Sequence, residues 1–250
     1  MKILAIGNSF SQDATAYLHA MAESGGIKTK IVNLYVPGCS LKTHWENVKN
    51  NFAAYEYQKN GGEGEKAASV LNTLREEDWD VVTLQQASHD SGLESTYEPY
   101  LRDLSDFVAR ECGSARRMLH QTWAYEDGCT HPAFGTYRKS SEVMYRALCR
   151  AYDKAAEELH VPLIPSGKAI QELRSLKEFD YRNGGQSLCR DGYHMHLLYG
   201  RYAVAAVWYE SVLKGNILEN SFRPDAGGAE VSEHLLELIR QTVHRVCREA

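Results

Sequence analysis

The sequence predicts an α/β protein, a three-layer α/β/α sandwich around a mostly parallel, five-stranded sheet. Two observations carry that expectation. Runs of four to seven residues, apolar on both faces, recur at 3–7, 30–36, 81–84, 117–122 and 161–164, as strands buried between two layers must. Longer segments with helical spacing separate them, which is the βα alternation of a parallel sheet covered by helices.

Taken in order, Ile3 to Gly7 is the first strand, and a helix follows from about Gln12, with Ala14, Tyr17, Leu18 and Met21 on one face and Gly25-Gly26 closing it. Asp13 and Glu23 read as solubilising residues of that helix. The second strand, Lys30 to Val36, ends at Pro37-Gly38. Leu41 to Lys59 reads as helix, Asn60 to Gly64 as a loop, and Glu65 to Glu77 as helix again. The third strand is Val81 to Leu84, and Thr96 to Cys112 is an amphipathic helix. Arg117 to Thr122 and Val161 to Ile164 are the fourth and fifth strands, separated by the longest helix, Ser140 to His160. Helices are expected at Lys168–Phe179, Leu197–Lys214 and Ala229–Arg248, with a loop from Arg182 to Gly192. No change of composition or linker divides the chain, so residues 1–250 are expected to form one domain.

Composition narrows the function. A formal net charge of −5, with no basic cluster longer than Arg116-Arg117, argues against a nucleic-acid partner. The six cysteines are scattered with no C-x-x-C pair, the pattern of reduced thiols. No apolar run approaches the ~20 residues of a membrane helix, and the apolar stretch before Gly7 is too short for a signal peptide. The chain as given therefore reads as cytoplasmic, with no membrane partner.

In open sheets of this kind ligands bind beyond the carboxyl ends of the strands, where Asn8-Ser9, Gly38, Gln85-Gln86 and Gln121–Trp123 fall. Ser9 stands where a buried strand hands over to a helix, whose free N–H groups favour a developing anion. Near the other end, Asp191 precedes His194 by three residues in a loop. That spacing lets the carboxylate accept from Nδ1–H and leaves Nε2 free to take a serine proton. Two other arrangements stay open: Asp191, His194 and His196 as metal ligands, and Cys39 as a nucleophile. Asn8, His44, Trp45 and Trp123 are candidates for contact with substrate, being amides, imidazoles and aromatics at strand ends.

Gly7-Asn8-Ser9-Phe10-Ser11, Pro37-Gly38-Cys39-Ser40-Leu41, Leu84-Gln85-Gln86 and Asp191-Gly192-Tyr193-His194 resemble the ordered blocks of the SGNH/GDSL hydrolases. They most resemble a branch, common in gut bacteria, known only as a domain of unknown function. The resemblance implies a flavodoxin-like sheet and Ser9 as nucleophile, His194 as base and Asp191 as its orienter. It also implies an oxyanion hole from the N–H groups of Ser9 and Gly38 and a side-chain amide. Where that superfamily carries an asparagine this chain has Gln85 and Gln86, and either amide could donate. The activity implied is hydrolysis of an ester, a short acyl group such as acetyl on a carbohydrate, with no cofactor or metal. Hydrolysis of a lipid ester or thioester, or a catalytically silent carbohydrate-binding protein, are the alternatives.

Overall fold

The computed structural model describes residues 1–225, 227–228 and 230–249, the side chains of 65 and 66 excepted. Its central strand is β1 (Lys2–Gly7), whose residues Ile3 to Gly7 are all buried. On one side β1 pairs in parallel with β2 (Lys30–Tyr35), Gly7 opposite Tyr35. On the other it pairs in parallel with β5 (Val81–Leu84), which continues to β6 (Arg116–His120) and β7 (Leu163–Ile164). These are the five parallel strands expected from the apolar runs. Among the described residues the sheet nevertheless has seven strands, in the order β4 (Gly64–Ala68), β3 (Tyr55–Lys59), β2, β1, β5, β6 and β7.

The two additional strands correct the helices expected at 41–59 and 65–77. Helix α3 (Leu41–Lys49) stops after nine residues, and the chain then forms an antiparallel hairpin of β3 (Tyr55–Lys59) and β4 (Gly64–Ala68) on the β2 edge. In β3 Tyr55 and Tyr57 are buried and Glu56 is exposed, the two-residue period of a strand. Asn60 (φ 53°) and Gly61 (φ 79°) both take positive φ, the turn that Asn-Gly favours between strands. Only Val70–Leu74 remains helical from the second segment (α4).

The first helix is also two. Asn8 caps α1 (Ser9–Thr15): its Oδ1 accepts from the Phe10 amide, while Ser11 Oγ accepts from the amide of Asn8. This capping box starts the helix three residues earlier than expected and makes Ser9 its first residue. A second helix, α2 (Leu18–Ser24), follows. Helices α5 (Tyr100–Glu111), α6 (Ser141–Leu159), α7 (Ser166–Arg174), α8 (Tyr199–Ser211) and α9 (Glu233–Glu249) follow the expected segments, trimmed by a few residues, with α7 starting two residues early and α9 ending one residue late. Of the helix expected from Ala229, residue 229 lies outside the described residues. Helix α8 is buried on every side except at Arg201 and Glu210, because α1, α2, α7 and α9 surround it, which is why its sequence is apolar all round. Helices α3, α4 and α5 pack together as a second group. Among the described residues no helix is long and apolar enough to cross a membrane.

Candidate active site

Ser9, at the end of the central strand, lies with its Oγ 2.9 Å from His194 Nε2. His194 Nδ1 stands 2.6 Å from Asp191 Oδ2. The turn between them is tight. Arg190 N–H donates to the His194 carbonyl (2.9 Å), Gly192 takes φ +86°, and Cys189 and Met195 form a bridge at its base. Asp191 Oδ1 accepts from the amides of Tyr193 and His194 (3.1 and 2.7 Å). Burial pushes the Asp191 carboxyl up, but the His194 ring and these two amides outweigh it and hold it below the usual carboxylate range. The carboxylate is thus charged at neutral pH and accepts a hydrogen bond from Nδ1–H, so Nε2 faces the serine hydroxyl as an acceptor.

The turn is buttressed from the segment after β6. Trp123 Nε1–H donates to the Tyr193 carbonyl (2.7 Å) and the Glu126 amide to the Gly192 carbonyl (2.8 Å). The Trp123 ring is fully buried and stacked on Phe10 (4.2 Å, 17°), the neighbour of Ser9. Trp123 is therefore a support between serine and histidine, and the sequence-based expectation of substrate contact is corrected.

The remaining expected contacts change in the same way. Asn8 is 1% exposed; beside its capping bond it donates Nδ2–H to the Cys39 carbonyl (3.1 Å), tying the Ser9 corner to the Gly38 turn. His44 is buried, 2.8 Å from Tyr55 Oη, and burial pushes its pKa down to about 3. Trp45 packs edge-on against Phe107 of α5. Cys39 is buried near His44 (3.4 Å), and burial pushes its thiol up to about 12, so it remains an inert thiol. His196 Nδ1 accepts from the Leu198 amide and its ring stacks on Tyr199, turned to a helix start rather than towards His194. Among the described residues no three His, Cys, Asp or Glu side chains are arranged to hold a metal ion.

Both glutamines are engaged in hydrogen bonds within the protein. Gln86 accepts at Oε1 from the amides of Leu41 and Ala87 (2.9 and 2.8 Å) and donates from Nε2 to Thr96 O and Oγ1 (3.1 and 3.0 Å). Gln85 Nε2 donates to Asn8 Oδ1 (2.7 Å) and its Oε1 lies 2.7 Å from Nδ1 of His120, whose Nε2 is 3.0 Å from Ser166 Oγ. The backbone donors differ. The amides of Ser9 and Gly38 have no hydrogen-bond partner among the described residues. Gly38 is exposed at φ +58°, and nothing of the protein lies within 4 Å of where a Cβ would stand. The glycine is thus favoured by its backbone angle rather than by a close contact.

Beside His194 lies a strip of half-buried rings. Tyr193 touches His194 (4.2 Å between centroids), His131 meets Tyr193 edge-on (5.2 Å), and His89 lies nearly parallel to His131 (6.1 Å). Burial, with the positive charge that His89 or His194 can carry, lowers the His131 pKa and keeps its ring neutral. Sequence reasoning also missed Asp13, read as a surface residue but fully buried. Its cover comes from residues far along the chain, Arg190, Met195 and Arg201, so no local signal marked it.

A family model described as a domain of unknown function, DUF4886, matches residues 2–244. The crystal structure of a DUF4886 family protein from Bacteroides uniformis is similar along 98% of this chain and 94% of its own, with 35% identity and a TM-score of 0.89. A putative SGNH hydrolase from Slackia heliotrinireducens aligns over 84% of this chain and 97% of its own, at 22% identity and a TM-score of 0.57. A catalytic mutant of an acetylxylan esterase from Geobacillus stearothermophilus aligns over 84% and 92%, at 14% identity and a TM-score of 0.53. At these lower identities the likeness establishes the fold. A search of curated protein sequences gave no match.

Proposed function

From the premise that the chain belongs to the DUF4886 family and has the fold of the SGNH/GDSL hydrolases, we propose that it is a serine esterase with Ser9, His194 and Asp191 as its triad. The observation that carries the reading is the continuous contact from Ser9 Oγ through His194 to Asp191, at 2.9 and 2.6 Å. Ser9 Oγ attacks the ester carbonyl carbon while its proton passes to His194 Nε2, and Asp191 stabilises the imidazolium. The carbonyl oxygen becomes an alkoxide facing the unpaired amides of Ser9 and Gly38. His194 then gives its proton to the leaving alkoxide as the C–O bond breaks, leaving an acyl group on Ser9. Water, deprotonated by His194, attacks that carbonyl, releases the carboxylic acid and restores the serine. The sequence calls on no metal or cofactor.

The substrate we assign is a short acyl group, acetyl above all, on a carbohydrate. The ring strip of Tyr193, His131 and His89 supports it, offering apolar ring faces with polar edges beside the nucleophile, as a sugar leaving group requires. The fold likeness to an acetylxylan esterase points the same way. A fluorophosphonate probe tests the reading: one adduct is expected on the wild type, at Ser9, and none on Ser9→Ala. In a series of p-nitrophenyl esters, acetate is expected to turn over faster than octanoate, and acetylated oligosaccharides to release acetate. Neither adduct nor hydrolysis would sink the esterase assignment; a preference for long chains would move the substrate to lipid esters.

A further inference from the structure

Asp13 lies one helical turn beyond Ser9 on α1, and its side chain is completely buried. A carboxylate removed from water persists only where it is paired and hydrogen-bonded. Arg190 Nη1 donates to both of its oxygens (3.1 Å each), Arg201 Nε to Oδ1 (2.8 Å), and the Met195 amide to Oδ2 (2.8 Å). Arg190 Nη1 also donates to the Met195 carbonyl. Along the chain these partners bracket the acid–base turn, with Arg190 just before Asp191 and Met195 just after His194. Arg201 comes from α8, the buried helix behind both.

We propose that Asp13 is a positioning residue for the Ser9–His194 pair. It clamps both ends of the turn carrying Asp191 and His194 onto the helix that carries Ser9. The inference rests on the roles given to Ser9 and His194 above.

The location of the clamp argues for this over a general contribution to stability. Trp123 and Glu126 support the turn from the segment after β6 and hold the carbonyls of Tyr193 and Gly192. Asp13 supports it from the serine's own helix and holds residues 190 and 195. Serine and base are 185 residues apart in sequence, so their separation is set by how the turn docks on α1. A proton transfer needs that separation near 3 Å, and a displacement of about 1 Å can cost a hundredfold in rate. Exchanging one carboxylate oxygen for an NH₂ would leave a donor facing the donors of Arg190, Arg201 or Met195, and the turn would shift to relieve it.

The test compares Asp13→Asn and Arg201→Lys with Ile239→Val, a buried substitution in α9. The readouts are kcat and KM for p-nitrophenyl acetate, the rate of fluorophosphonate labelling, thermal stability, and the low-field proton resonance shared by His194 Nδ1 and Asp191. Asp13→Asn is expected to lower kcat about ten- to a hundredfold with KM within about twofold, to slow labelling in step, and to shift or broaden the resonance. Arg201→Lys, which keeps the charge and loses the Nε contact, is expected to do the same more weakly. Ile239→Val should leave kcat and resonance unchanged even where it costs as much stability. The proposal is overturned if Asp13→Asn loses no more activity than Ile239→Val at matched stability and keeps the wild-type resonance. Should Asp13→Asn fail to fold, Arg201→Lys decides by the same criteria. A wild type that neither hydrolyses nor labels would overturn the esterase reading alone, and the resonance would still decide whether Asp13 positions His194.

Discussion

Replacing Gln86 by alanine separates two accounts of the residues that follow β5. The side chain makes four hydrogen bonds, using both amide protons and both lone pairs, and none of its partners is a substrate position. Alanine strands two N–H groups, those of Leu41 and Ala87. The first belongs to the opening residue of α3, whose cap, Ser40, bonds to Thr43 instead. Stranding a buried donor costs about 1–3 kcal/mol, so the two together should lower stability by about 4 kcal/mol. In a chain of this length that is a fall of roughly 8–16 °C in Tm. An oxyanion donor would give another pattern: a loss of about 10²–10³ in kcat with little effect on folding. The assay is urea denaturation paired with p-nitrophenyl acetate turnover well below the unfolding midpoint. The expected result is a large loss of stability with kcat held within about fivefold. A hundredfold fall in kcat at nearly unchanged stability would refute the structural account and restore Gln86 as a donor to the substrate.

Two further outcomes follow from buried groups. His44 and His120 are held neutral by burial, their pKa values pushed down to about 3, whereas in the unfolded chain they titrate near the ordinary 6.5. Above that pH they are neutral in both states; below it only the unfolded chain takes up protons. Stability should therefore fall by about 3 kcal/mol per pH unit between roughly pH 6 and 4. Urea midpoints measured from pH 7 to 5 check this, and a flat profile would contradict it. At the hairpin, a Cβ on Gly61 would meet the Ala16 carbonyl oxygen at 2.2 Å, whereas one on Gly184, also at positive φ, would meet nothing. Gly184→Ala should cost about 1 kcal/mol for the left-handed backbone alone. Gly61→Ala should cost clearly more by the same denaturation, and equal losses would contradict the close approach.

The five parallel strands were legible because a strand covered on both faces carries apolar residues on both, as Ile3 to Ile6 do. The β3–β4 hairpin was not, because it lies at the sheet edge and alternates Tyr55, Glu56 and Tyr57 among polar neighbours. Within the segment 41–59 that pattern is also compatible with a helix, and Asn60-Gly61 alone marks no more than a loop. The start of α1 was hidden for a related reason. Asn8 and Ser11 form a capping box in which serine replaces the usual acidic or amide partner. Asp13 was misread because an acidic residue on a short helix is usually solvated. Here α8 and the histidine turn cover that face, and a covering element 180 residues away leaves no local trace. The Ser9 and Asp191–His194 segments were legible as motifs, since each is a short continuous string.

The glutamines show what a string cannot convey, the direction in which an amide points. Here that direction follows from fixed ends. The Cys39 carbonyl can only accept, so Asn8 must turn Nδ2 towards it and Oδ1 towards the Phe10 amide and Gln85. Gln85 must then donate from Nε2 and present Oε1 to His120, whose Nδ1 carries the proton. A neutral His120 has only Nε2 left as an acceptor, so Ser166 donates to it. The row runs across the carboxyl ends of the sheet, from the turn after β2 through β1, β5 and β6 to the start of α7 after β7, and every polar atom in it has one consistent role. A single wrong partner would leave a buried donor facing a donor, so the row holds Asn8 and Cys39 in one relative position. Ser9 follows the first and Gly38 precedes the second, so the two unpaired amides are set by this buried frame. Under the proposed mechanism, the amide side chain sought at the oxyanion is replaced by two backbone donors, and Gln85 contributes by fixing the frame that carries them.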